Sequence, residues 1–142
     1  MKRILQIVLL MIVCSSLSAE LLIPMDLSQT NHLKAYGVAF AALKQQHVVQ
    51  WLLNYRGGSF LMNDDASLQA LCNIRGVRFE VIGSGDVAAI MGEIQNANME
   101  AVVLEKEPKI AVYIPPNALP WDDAVTLALE YAEIEYDRFW DD

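Results

Sequence analysis

Residues 24–37 read PMDLSQTNHLKAYG, and six polar side chains crowd into the seven positions from 26 to 32: Asp26, Ser28, Gln29, Thr30, Asn31 and His32. Such a set serves one of two purposes. Asp26 followed by Gln29 has the spacing of a capping box, with Ser28 or Thr30 able to cap one step later. Capping uses only one or two of these residues. Asn31, His32 and Lys34 remain for a ligand, beside a helix N-terminus whose free N–H groups suit an anion or a carbonyl. His32 and Tyr36 stand four apart and can share a helix face.

A second constellation is NYRGGSF, residues 54–60. Gly57 and Gly58 permit close backbone approach, and Arg56 with Ser59 has the chemistry to hold a carboxylate or phosphate. A tight turn with an exposed arginine explains the same residues. The spacing matches neither the GxxxxGK[ST] nor the GxGxxG phosphate-binding pattern. A third glycine-containing turn, IGSGD at 82–86, places Ser84 at a helix start.

No catalytic residue is assigned. Cys72 lies between Leu71 and Ile74 in a helical pattern and reads as a core thiol. A GxSxG nucleophile elbow is absent from the sequence. His32 and His47 fall at opposite ends of one predicted helix, so no metal site is expected. No cofactor is expected either.

The first nineteen residues, MKRILQIVLLMIVCSSLSA, have two basic residues, an apolar run from Ile4 to Val13 and a small-residue end. That is a secretory signal peptide, cleaved after Ser18 or Ala19. Its apolar run is shorter than the roughly twenty residues that span a bilayer. The chain is therefore expected to be exported, to the periplasm, the cell surface or the medium, with no stable membrane span after cleavage. Cleavage removes Lys2 and Arg3 and moves the net charge from −8 to −10. Such an acidic chain repels phosphate backbones, which excludes nucleic acid as a partner. A small-molecule ligand fits better. With Cys72 alone left, no intrachain disulfide forms.

These constellations must be positioned by the elements between them. ELLIPM (20–25) reads as a strand buried on both faces, 28–46 as a helix, and HVVQWLLNY (47–55) as a strand ended by the glycine turn. ASLQALCNIR (66–75) reads as a helix after an acidic start, stopped by Gly76. VRFEVIG (77–83) reads as a strand with Val77, Phe79 and Val81 inward. A helix comes next at 84–97, with Val87, Ile90, Met91 and Ile94 on one face. EAVVLEKEPKIAVYIPP (100–116) suits two strands turning at KEP or one interrupted segment, and 122–139 reads as one long helix. The β-α alternation predicts an α/β fold: a doubly wound, mainly parallel sheet with helices on both faces, flavodoxin-like. In such sheets ligands gather at the carboxyl ends of the strands. The candidate binding residues are thus Asp26, Gln29, Asn31, His32, Lys34, Arg56, Gly57, Gly58, Ser59 and Ser84. Asp26, Asn31, His32, Arg56 and Ser59 are expected to converge on one cleft.

LLIPMDLSQTNHLKAYGVAF (21–40) and VQWLLNYRGGSFLMND (49–64), then VYIPPN (112–117) and YDRFW (136–140), resemble a family of exported bacterial proteins labelled asparagine synthetase B. The resemblance implies a class I amidotransferase-like fold and a chain that continues past residue 142. Residues 20–142 would then be a single α/β domain at the N-terminal side of a longer protein, with a downstream domain as its neighbour. The aromatic end YDRFWDD agrees, since two large rings there need a cover. The label does not match asparagine synthetase chemistry. Position 2 is Lys, not a nucleophilic Cys, and GSGD (83–86) is not an SGG(V/L)DS pyrophosphate loop.

Overall fold

The computed structural model describes residues 19–119 and 123–141. The expected signal peptide, residues 1–19, lies outside the described residues except for Ala19, as do Pro120, Trp121, Asp122 and Asp142. Along the chain come β1 (Glu20–Ile23), α1 (His32–Lys44), β2 (Val49–Leu53), a 3₁₀ turn (Tyr55–Gly57) and β3 (Ser59–Asn63). After these come α2 (Ala66–Arg75), β4 (Glu80–Ile82), α3 (Ser84–Asn96), β5 (Glu100–Leu104), β6 (Ala111–Tyr113), α4 (Ala124–Ala132) and β7 (Asp137–Phe139).

Five strands form one sheet in the order β4-β1-β3-β2-β5, and every neighbouring pair is antiparallel. The doubly wound parallel sheet expected from the β-α alternation is therefore incorrect, and with it the flavodoxin-like and amidotransferase-like fold. Residues 20–82 are instead a βαββαβ unit with strand order 4-1-3-2, the ferredoxin-like split βαβ arrangement. The physical reason is one strand. SFLMN (59–63) pairs with β2 as a hairpin, Trp51 opposite Phe60, instead of trailing off the glycine turn. Inserting a hairpin between the two helices reverses the direction of the next strand, so a parallel reading becomes antiparallel.

The sheet is covered on both faces. Leu21 and Ile23 face α1 and α2, where they meet Val38, Ala42, Leu68 and Cys72; Leu22 and Leu61 face α3 and meet Ile90 and Ile94. The three apolar residues of β1 are all buried, which is why the strand shows no polar alternation. β4 and β5 lie at opposite edges and run the same way, so α3 crosses between them.

Beyond β5 the chain adds a small βαβ unit. β6 and β7 pair in parallel, Val112 opposite Arg138, and α4 connects them and packs on α1. The expected long helix over 122–139 thus ends early: Glu133 adopts the left-handed conformation at φ 57°, and DRF continues as a strand. Gly37 is explained by the same packing. A Cβ there would sit 1.8 Å from the Ala132 carbonyl oxygen, so α1 and α4 meet at that spacing only over a glycine.

Two further expectations change locally. The N-cap of α1 is Asn31, whose side chain accepts from the Lys34 N–H, not Asp26. Val81 points to solvent because β4 is an edge strand, whereas Val77 is buried.

Candidate functional site

The expected site residues divide into two groups. At one end of the sheet the exit of β1, the β2–β3 turn and the start of β4 meet around Arg56. Its Nε donates to Asp26 Oδ2 at 2.7 Å, Nη1 reaches both Glu80 oxygens at 3.0 and 3.1 Å, and Nη2 donates to Ser28 Oγ at 3.3 Å. Hydrogen bonds from Ser28 and Arg56 hold the Asp26 carboxyl well below the usual carboxylate range. The same pairing raises the affinity of Arg56 for its proton. All three guanidinium nitrogens are engaged within the chain itself.

The backbone supports this clamp. Asn54, Arg56, Gly57 and Gly58 all have positive φ, and a Cβ on Gly57 would lie 2.3 Å from the Met25 carbonyl oxygen. That close approach lets the Met25 N–H donate to the Arg56 carbonyl at 3.1 Å. His32 Nε2 donates to the carbonyls of Met25 and Asp26 at 3.1 and 3.2 Å. Gln29, buried, donates to the Pro24 and Arg78 carbonyls and accepts from the Arg78 N–H at 3.0 Å. Ser59, also buried, donates to the Tyr55 carbonyl at 3.0 Å.

Asn31 and Lys34 turn away from this group toward α4. Asn31 Nδ2 donates to the Tyr131 hydroxyl at 2.9 Å, and the Lys34 ammonium lies 5.0 Å from the centre of that ring. Lys34 also pairs with Glu133, and Arg75 Nη2 reaches the other Glu133 oxygen at 2.7 Å. Hydrogen bonding from Lys34, with help from Arg75, lowers the Glu133 pKa. These contacts latch the C-terminal βαβ unit onto α1. Ser84 is elsewhere again: β4 runs against β1, so its carboxyl end, and Ser84 after it, lies at the opposite end of the sheet from Arg56. The rule that gathered these loops applies to parallel strands, and here the strands alternate.

A different region has unsatisfied surface. α1 and α2 cover the middle of one sheet face and leave the β2–β5 side open. There a pocket of about 390 Å³ is walled by the rings of Tyr36, Phe40, Trp51 and Phe60, by Leu43 and Leu104, and across from them by Pro108, Ile110 and Ile134. Tyr36 meets Phe60 edge to face at 5.5 Å, and Trp51 stacks on Phe60 at 6.4 Å. Trp51 Nε1 donates to the Gly58 carbonyl at 3.1 Å, which fixes the indole. Gly58 therefore accommodates an aromatic side chain of its own chain: a Cβ would lie 3.2 Å from Trp51 Nε1. A second hollow of about 430 Å³ shares Phe40, Pro108 and Ile110 and continues into the charged residues Lys44, Glu107, Lys109, Glu135 and Asp137.

None of the pocket rings is among the sequence-derived candidates. The available signal is that Tyr36, Phe40 and Leu43 make α1's apolar stripe while Trp51 and Phe60 oppose each other on neighbouring strands. Cys72 is fully buried, and burial pushes its thiol up to about 11, as for a core thiol. Among the described residues no three His, Cys, Asp or Glu side chains gather to hold a metal ion. No described helix is long and apolar enough to cross a membrane.

No family model, curated protein or solved structure matches this chain.

Proposed function

We propose that this chain is a non-catalytic ligand-binding module of an exported protein and that its ligand occupies the aromatic pocket between α1, β2, β5 and the C-terminal βαβ unit. The observation that carries the reading is four rings lining an opening of about 390 Å³. That volume lies in the range of small-molecule sites, and the walls combine apolar and aromatic side chains in the usual way. Two of the rings are held in place: Phe60 is buried in the sheet, and Trp51 is hydrogen-bonded to Gly58. The strand side of the pocket is therefore pre-formed.

Export is supported by the basic, apolar and small-residue order of residues 1–19. The setting as one module of a longer protein is supported by the likeness of residues 21–40, 49–64, 112–117 and 136–140 to the exported family labelled asparagine synthetase B. The polar residues at the Arg56 end support no competing catalytic reading, because their donors and acceptors are engaged with one another.

The test is titration with an uncharged apolar dye, N-phenyl-1-naphthylamine. Saturable one-to-one binding with enhanced emission is expected, weakened at least tenfold in Phe40→Ala with its fold intact by circular dichroism. Binding that does not saturate, or that Phe40→Ala leaves unchanged, contradicts the proposal.

A further inference from the structure

Resting on the pocket reading above, we infer that the ligand is an apolar body bearing a single carboxylate, which Lys106 anchors at the pocket mouth. The walls are carbon almost throughout, and Lys106 is the one charged side chain among them. Its charge is uncommitted. Lys34, Lys44, Arg56, Arg75 and Arg138 each pair with a carboxylate, whereas among the described residues Lys106 has no acidic partner within ion-pairing distance. Three described cations share that condition, Arg78, Lys106 and Lys109, and two of them line the two joined hollows.

The second hollow limits where an anion sits. Glu107, Glu135 and Asp137 line it beside Lys44 and Lys109, and Lys44 is already paired with Glu135, so two carboxylates there stand against one unpaired ammonium. A ligand with charges at both ends would meet like charge there. A single anion therefore belongs at Lys106, with the body against Tyr36, Trp51 and Phe60. At protein packing density the volume holds roughly twenty non-hydrogen atoms. A medium-chain fatty acid and an aryl acid share this chemistry.

Calorimetric titration of the full chain, below micelle-forming concentrations, separates the possibilities. The probes are decanoate and 1-naphthylacetate, each against its uncharged alcohol, decanol and 2-(1-naphthyl)ethanol. At least one acid is expected to bind tenfold or more tighter than its alcohol, and added salt weakens only the acid. Lys106→Gln should erase that difference and leave alcohol binding unchanged. Decanoate alone binding identifies an aliphatic body, naphthylacetate alone an aromatic one, and either supports the inference. Alcohols binding as tightly as acids would overturn the anchor while the pocket reading stands. If no probe binds, both fall.

Discussion

The Arg56 end of the sheet and the aromatic pocket differ in what they leave unmet. Around Arg56 the residue types promise chemistry: a guanidinium, two carboxylates, a histidine, serines and paired glycines. Yet Arg56 is engaged at all three nitrogens by Asp26, Glu80 and Ser28, His32 by two carbonyls, and Ser59 and Gln29 by buried backbone. The pocket promises little by residue type, since aromatic and aliphatic side chains on a helix and two strands are ordinary core. There, however, the helices stop short of β2 and β5 and leave rings uncovered. A binding site is marked by what the fold leaves unsatisfied, and reactive residue types that satisfy one another are architecture.

The sharpest way to strain that contrast is Gly37→Ala. In a helix interior this substitution normally stabilises by about 1 kcal/mol. Here the new Cβ would meet the Ala132 carbonyl oxygen, so a loss of about 2–3 kcal/mol is expected. Because α4 must back away and Ile134 with it, dye affinity should fall too. Urea denaturation and dye titration read both, and a stabilised variant would show that α4 does not dock on α1 as described.

Arg56→Met addresses the other side of the comparison. It leaves Asp26 and Glu80 facing each other without their cation, and stability should drop by about 1–2 kcal/mol. Dye and acid binding should stay within twofold. A large loss of ligand affinity with little loss of stability would move the binding site to the Arg56 end.

The smallest effect is expected from Glu133→Gln, which weakens the half-exposed latch by about half a kcal/mol at neutral pH. The sign with pH is definite. The Glu133 pKa is lowered in the folded chain from 4.5, so its contribution is present above that value and is lost as pH falls through the lower folded one. Wild type and variant should therefore differ in melting temperature at pH 6 and converge toward pH 3. Asp26, also lowered, titrates in both and cancels from the comparison. A difference that grows on acidification would contradict the latch.

Legibility in the sequence tracked the range of the interactions. α2 was legible to the residue. Asp65 caps it by accepting from the Ser67 N–H at 2.7 Å, and Gly76 ends it at φ 65°. The apolar face of α3 was equally clear, with Ile90 and Ile94 buried against the sheet. β3 was not, because its five residues sit directly between the glycine turn and the acidic start of α2, and pairing with β1 on one side and β2 on the other is what makes them a strand. The end of α4 was hidden too. Glu133 is not a residue that announces a left-handed turn, and Lys34 and Arg75, distant in sequence, bind its carboxylate there. At the candidate site, Asp26, His32, Arg56 and Ser59 belong together at one sheet end, while Asn31 and Lys34 serve α4.

By itself the sequence determined the local pieces: the two ends of α2, the glycine turn, the doubly buried first strand and a strongly acidic balance. Each depends on residues within a few positions of one another or on composition alone. Only the tertiary structure decided strand direction, the partner of Arg56 and the uncovered aromatic face. Those arise from pairings such as Arg56 with Glu80 and Asn31 with Tyr131, and from where two helices cease to cover a sheet. Surface left over after packing is a property of the assembled elements and of no segment within them.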